Sequence, residues 1–152
     1  MLSKSELRAR VKEKMKNLDY SKKNIIDEKI RNNVYKIPEY IGADIIFSYV
    51  SKEKEVDTLD LIDHSMTQGK IVCVPLTKKE GNSLEARRID TLNDLRTGNF
   101  NILEPKEGTK IVDPKEIEIL FIPGLAFGTG FERLGRGGGY FDRFLLQSTG
   151  LK

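Results

Sequence analysis

Tryptophan is absent from this 152-residue sequence, cysteine and histidine occur once each, and aromatic residues make up only 8%. With a single cysteine, Cys73, no internal disulfide can form, and its place in the apolar run IVCVP makes it a small core residue. The one histidine, His64, has no Cys or second His to join it and is left unassigned, and no zinc-binding or Ser-His-Asp signature is present. No apolar run approaches the roughly 20 residues of a membrane-spanning helix, so no membrane partner is expected. The opening MLSKSELRARVKEKMK is charged throughout and lacks the apolar centre of a secretory signal, which places the chain in the cytoplasm as an expectation. Charge of one sign is lacking too. The 26 basic residues face 23 acidic ones, a net charge of +3, too little to argue for nucleic acid. No repeat, low-complexity tract or linker divides the sequence, and one domain over residues 1–152 is expected.

What is present reads first as helices. Ser3 and Glu6 form a possible capping box, after which Leu7, Val11, Met15 and Leu18 recur at helical spacing over about four turns. A second helix begins near Ser21, carries Ile25, Ile26, Ile30, Val34 and Ile37, and must stop before Pro38, because the residue preceding proline is disfavoured in helical geometry. The pattern then changes. ADIIFSYV reads as a buried strand, Asp57 or Thr58 caps a helix running through Met66, Gly69 stops it, and KIVCVP supplies the next strand. SLEARRI alternates as a strand, and the stretch from Ile89 to Pro105 reads as short turns and a helical turn ending at Pro105. IEILFIP is a strongly apolar strand, and GYFDRFLLQ resumes helical spacing after a glycine-rich segment. Strands separated by helices predict an α/β fold, a three-layer sandwich with a mostly parallel central sheet and helices on both faces. Ligands then sit beyond the carboxyl ends of the strands, where the loops after ADIIFSYV and IEILFIP emerge.

The segment RLGRGGGYFD poses a choice between a slack linker and a shaped loop. Its flanks are the most apolar strand and a tail rich in Tyr and Phe, and both want burial, which disfavours a linker. Gly135, Gly137, Gly138 and Gly139 permit positive φ and close backbone approach, so their amides can converge on an anion at the start of a helix. Arg133 and Arg136 add forked donors suited to phosphate. The spacing fits neither the dinucleotide GxGxxG pattern nor a P-loop.

Pro123, Gly124, Phe127 and RLGRGGGYFD together resemble the late signature of the 5-formyltetrahydrofolate cyclo-ligases, also called 5,10-methenyltetrahydrofolate synthetases. The early block KSELR resembles that family's basic helix, and Glu55 to Thr58 resembles its Glu-Val-Asp-Thr loop. The resemblance implies an ATP- and Mg²⁺-dependent closure of 5-formyltetrahydrofolate to 5,10-methenyltetrahydrofolate with release of ADP and phosphate. It implies that Lys4 and Arg8 reach the ATP phosphates from one helix face. Arg133, Leu134, Gly135, Arg136, Gly137, Gly138, Gly139 and Tyr140 would cradle the nucleotide. Asp142 would contact Mg²⁺, with Arg133, Arg136 and Asp142 as the catalytic set. Glu55 would accept hydrogen bonds from the pterin, and Tyr140 would flank it.

The pattern departs at Gly128, where the family usually has Asp, at Phe131, where glycine is common, and at Phe141, which replaces a second tyrosine. Family chains normally continue past the glycine-loop helix with a further strand and an acidic segment, and this sequence stops at STGLK, so a domain lacking that strand is expected. A folate- or nucleotide-binding protein of the same fold without turnover is the alternative reading. A nucleic-acid module built on the first helix and the Gly-Arg loop is the third. The oligomeric state is not legible.

Overall fold

The computed structural model describes residues 1–152, the Asn99 side chain excepted. Helices α1 (Lys4–Lys14), α2 (Tyr20–Val34) and α3 (Pro38–Gly42) lead the chain, followed by β1 (Ile45–Ser48), α4 (Leu59–Thr67), β2 (Ile71–Lys78) and β3 (Ser83–Ile89). Then come β4 (Leu95–Thr97), β5 (Leu103–Pro105), β6 (Ile111–Val112), β7 (Ile119–Phe121), β8 (Ala126–Phe127), β9 (Arg133–Leu134) and α5 (Tyr140–Leu145).

The capping box forms as expected: the Ser3 hydroxyl accepts the Glu6 amide, and the Glu6 carboxylate accepts the Ser3 amide. The four-turn helix is shorter than expected, since α1 gives way to a 3-10 turn at Met15–Asn17, and no residue of α1 is buried. Pro38 does more than end α2; it occupies the first turn of α3, where its missing amide costs nothing. The cap of α4 is Asp57 acting from one residue outside. Its carboxylate accepts the Leu59 and Asp60 amides, while the Thr58 hydroxyl turns inward to the Tyr49 carbonyl.

The central sheet has the order β6-β3-β2-β1-β7. Strands β2 and β7 flank β1 in parallel, whereas β3 pairs antiparallel with both β2 and β6. The expectation of a mostly parallel sheet is therefore corrected to a mixed one. The reason is length: only residues 79–82 join β2 to β3, with Gly81 at φ 70 and Asn82 at φ 46, and a parallel return needs a crossover of about a dozen residues or more. The stretch read as turns before Pro105 also holds a hairpin, β4 against β5, apart from the main sheet.

Alternation along the strands builds the two faces. Ile46, Val72, Val74 and Ile119 meet Tyr40, Leu61 and Ile62 of α3 and α4, while Phe47, Cys73 and Leu120 meet Phe144 of α5. Three layers result, with helices on both faces as expected. Burial pushes the Cys73 thiol up to about 12, so it packs as an inert apolar group. On α2 the periodic Ile25 and Ile26 are 56% and 53% exposed, and only Val34 of that set reaches the core from the helix. Periodicity tells which residues share a face; it does not supply the neighbour that covers the face. Leu151 pairs with Ile119 in a single parallel bridge along the free edge of β7.

One departure falls in the tight β8–β9 hairpin. Phe131 sits at its tip with φ 67 and 97% exposure, a backbone conformation that favours glycine with no packing to compensate. Phe131→Gly is therefore expected to raise stability by about 1 kcal/mol, or roughly 2–4 °C in Tm. Thermal unfolding followed by circular dichroism measures it, and a lower Tm would show that the phenyl ring has a contact that matters.

Candidate active site

The loops leaving β1 and β7 emerge at the same end of the sheet because those strands run parallel. The β1 loop is closed on itself by short polar bonds. The Ser51 amide donates to the Thr58 hydroxyl at 2.9 Å, the Thr58 amide to the Ser51 hydroxyl at 3.0 Å, and the Tyr49 hydroxyl to the Val56 carbonyl at 2.9 Å. Burial, followed by the Glu55, Asp27 and Asp57 carboxylates, raises the Tyr49 phenol far above its usual value, so it stays a neutral donor. From α2, buried Asp27 pairs with Lys23 and accepts the Asp57 amide, and Arg31 reaches Asp60 at 3.1 Å. This bracing fixes Glu55, whose own carboxylate accepts the Lys52 amide at 2.9 Å.

The β7 loop runs through Pro123 and the β8–β9 hairpin into the glycine segment. Gly137 and Gly139 adopt φ 109 and 73, where side chains are strained, so glycine is required at both. Arg8 of α1 donates its Nε to the Gly135 carbonyl at 2.9 Å, and its guanidinium lies against Gly137. Between these loops lies a cavity of about 610 Å³, within the usual range for small-molecule sites. Lys4, Arg8, Arg136 and the glycine backbone line one part; Tyr49, Glu55, Phe100 and Tyr140 line another.

Every candidate residue read from the sequence lines this cavity: Lys4, Arg8, Glu55, Arg133 to Gly139, Tyr140 and Asp142. Their partners were not foreseen. Arg136 donates to Glu55 at 2.8 Å, so the cation from the last block and the carboxylate from the middle block meet directly. Arg133 is mostly buried, donates to the Pro123 carbonyl at 2.8 Å and pairs with Asp142. Helix α5 has only six residues, so the anion-favouring end expected there rests on the arginines and glycine backbone more than on a helix dipole. His64 takes no part in the cavity; its ring packs 4.1 Å from that of Tyr35.

Sequence reasoning missed Phe100, Ile102 and Glu104, which the β4–β5 hairpin brings to the cavity. Phe100 stands edge-on to Tyr140 at 6.2 Å, and its carbonyl accepts Lys52 Nζ at 3.1 Å. The available signal was a glutamate before proline in ILEP, a charge with apolar neighbours on one side and a helix breaker on the other.

Fold and cavity define an α/β ligand-binding protein with a cationic glycine loop on one side of its site and an aromatic, carboxylate-bearing wall on the other. The chain belongs to the 5-formyltetrahydrofolate cyclo-ligase family, whose model matches residues 1–152. It is 32% identical over 155 residues to the mitochondrial 5-formyltetrahydrofolate cyclo-ligase of Arabidopsis thaliana, covering 91% of this chain and 56% of that protein. It is 28% identical to the mouse 5-formyltetrahydrofolate cyclo-ligase, covering 94% of this chain and 73% of the other. The solved structure of Aquifex aeolicus 5,10-methenyltetrahydrofolate synthetase superposes with a TM-score of 0.86 at 34% identity, over 99% of this chain and 76% of that one. The chain thus spans little more than half the length of its Arabidopsis relative. Among the described residues no helix is long and apolar enough to cross a membrane.

Proposed function

We propose that the protein uses ATP to close 5-formyltetrahydrofolate to 5,10-methenyltetrahydrofolate, releasing ADP and phosphate. The carrying observation is the convergence on one cavity of Lys4 and Arg8, Glu55, and the Arg133 to Asp142 segment, three blocks far apart in sequence. The chemistry calls for such a site. A formamide oxygen is a poor leaving group until it takes a phosphoryl group; N10 of the folate then attacks the activated carbon, and phosphate departs as the ring closes. The protein's part is positioning and charge compensation.

Lys4, Arg8 and Arg136 suit a triphosphate: they supply three cations around backbone held at positive φ, where close approach is unhindered. Arg133 orients Asp142, and Asp142, with its side chain 73% exposed, is free to turn toward a phosphate-borne cation. Among the described residues no cluster of three acidic, His or Cys side chains offers a metal cage, which suits Mg²⁺ held by one carboxylate and the nucleotide's own phosphates. When bound there, Mg²⁺ would neutralise charge on the transferring phosphoryl group. Glu55 accepts N–H donors of the pterin, and Tyr140 and Phe100 form the walls beside its ring. A cytoplasmic site of action is part of the same proposal, although the Arabidopsis relative is named mitochondrial.

Purified protein given ATP, Mg²⁺ and 5-formyltetrahydrofolate is expected to develop the near-ultraviolet absorbance of the methenyl product. No signal at high protein concentration refutes the activity. Calorimetric binding of folate without turnover would then support the binding-protein reading.

A further inference from the structure

We infer that Glu104 is a positioning residue that holds the β4–β5 hairpin against β2, so that Phe100 and Ile102 form a fixed wall on the folate side of the cavity. The inference rests on the reading of that side as the folate site. Glu104 is 4% exposed and lines the cavity, yet none of the proposed steps uses it. Buried carboxylates are costly unless bonded, so its place demands a reason.

The reason lies in how the sheet ends. Strand β1 stops at Ser48 and its register with β2 runs only to Phe47 opposite Cys73, so the edge of β2 beyond that point has lost its partner. On this edge Pro75 has no amide to satisfy, and the next amide facing the same way, that of Thr77, donates to Glu104 Oε1 at 3.2 Å. Glu104 therefore replaces the missing strand with a side chain. The carboxylate also lies against Gly98, where an added Cβ would overlap it, so a side chain at this position must displace the carboxylate. The Gly98 amide in turn donates to the Ile102 carbonyl at 2.8 Å, which sets the loop carrying Phe100. Phe100 itself is held at φ 59, a conformation that a bulky side chain keeps only when the surroundings impose it. Lys52 pins the tip from the Glu55 loop, and Glu104 pins the base.

Three variants test this: Glu104→Ala, Glu104→Gln and Gly98→Ala. Amide hydrogen exchange at Thr77 reads the clamp without any ligand, and calorimetry with 5-formyltetrahydrofolate and with ATP separately reads its consequence. Glu104→Ala should speed Thr77 exchange and weaken folate about tenfold, with ATP affinity changed less than about twofold. Glu104→Gln, whose amide oxygen still accepts the Thr77 bond, should restore both. Gly98→Ala should reproduce Glu104→Ala, since it pushes the carboxylate out without removing it. Unchanged Thr77 exchange in Glu104→Ala, equal weakening of both ligands, or a glutamine variant as impaired as alanine each overturns the inference. If the unmodified protein binds no folate, the functional reading fails by itself, and Thr77 exchange still decides whether Glu104 is the clamp.

Discussion

Phe144→Ala is expected to lower the unfolding free energy by about 3–5 kcal/mol, the range for emptying a buried aromatic site. Phe144 is 0% exposed and its ring lies 4.7 Å from that of Phe47 in the sheet. A loss of that size is a large share of the roughly 5–15 kcal/mol that holds a typical domain together. The effect concentrates at Phe144 because α5 is too short to be helical by itself, at six residues against the roughly 12–15 that even a good isolated helix requires. Its docking is its stability. Helix α5 is also the far end of the glycine loop and carries Tyr140 and Asp142, so the variant should lose ATP binding at temperatures where the rest of the sheet survives. Urea unfolding measures the first effect. Phe144→Leu, which keeps most of the apolar volume, should recover more than half of it. A loss below about 1 kcal/mol for alanine would mean that the site collapses without cost, contrary to an interior packed at crystal-like density.

The strands that carry the site were legible because burial on both faces leaves a plain mark: IIF, IVCVP and ILF are continuous apolar runs, and each lies in a strand of the central sheet. Their parallel arrangement about β1 put the Glu55 loop and the glycine loop at one end, which is why residues 81 positions apart were expected to share a cavity and do. Strand direction beyond β2 was also written in the sequence, in the shortness of KEGN, and needed only the rule that parallel strands require a crossover. The β4–β5 and β8–β9 hairpins were not legible. Their strands are two or three residues long, and their tips place Phe100 and Phe131 at positive φ where turn chemistry calls for glycine or asparagine. The side-chain pairings of the site were equally hidden. Arg133 and Asp142 are nine positions apart on a β-strand and a helix, and no spacing rule links such a pair.

On the proposed roles, Arg136→Ala should reduce kcat/KM for ATP about hundredfold, the scale for removing one charged donor from a transferring phosphoryl group. The KM for folate should change less than about threefold. Glu55→Gln should do the reverse, raising the folate KM about tenfold or more with ATP little affected. The contact between the two side chains makes this contrast sharper. Arg136 and Glu55 meet at 2.8 Å with side chains 59% and 16% exposed, and an ion pair that open to water contributes at most about 1 kcal/mol to folding. Neither variant should therefore shift Tm by more than about 2–4 °C, which separates lost binding from lost structure. The same contact must loosen when a triphosphate draws the guanidinium and a pterin N–H draws the carboxylate, so each ligand competes with the pair for one of its members. Removing either partner frees the other for its own ligand, so each single variant is partly compensated and the double variant should lose more than the sum of the singles. Initial rates with each substrate varied in turn resolve the two effects. Equal losses toward both substrates from Arg136→Ala would place the guanidinium at neither the phosphates nor the pterin, and the division of the cavity into two sides would fall with it.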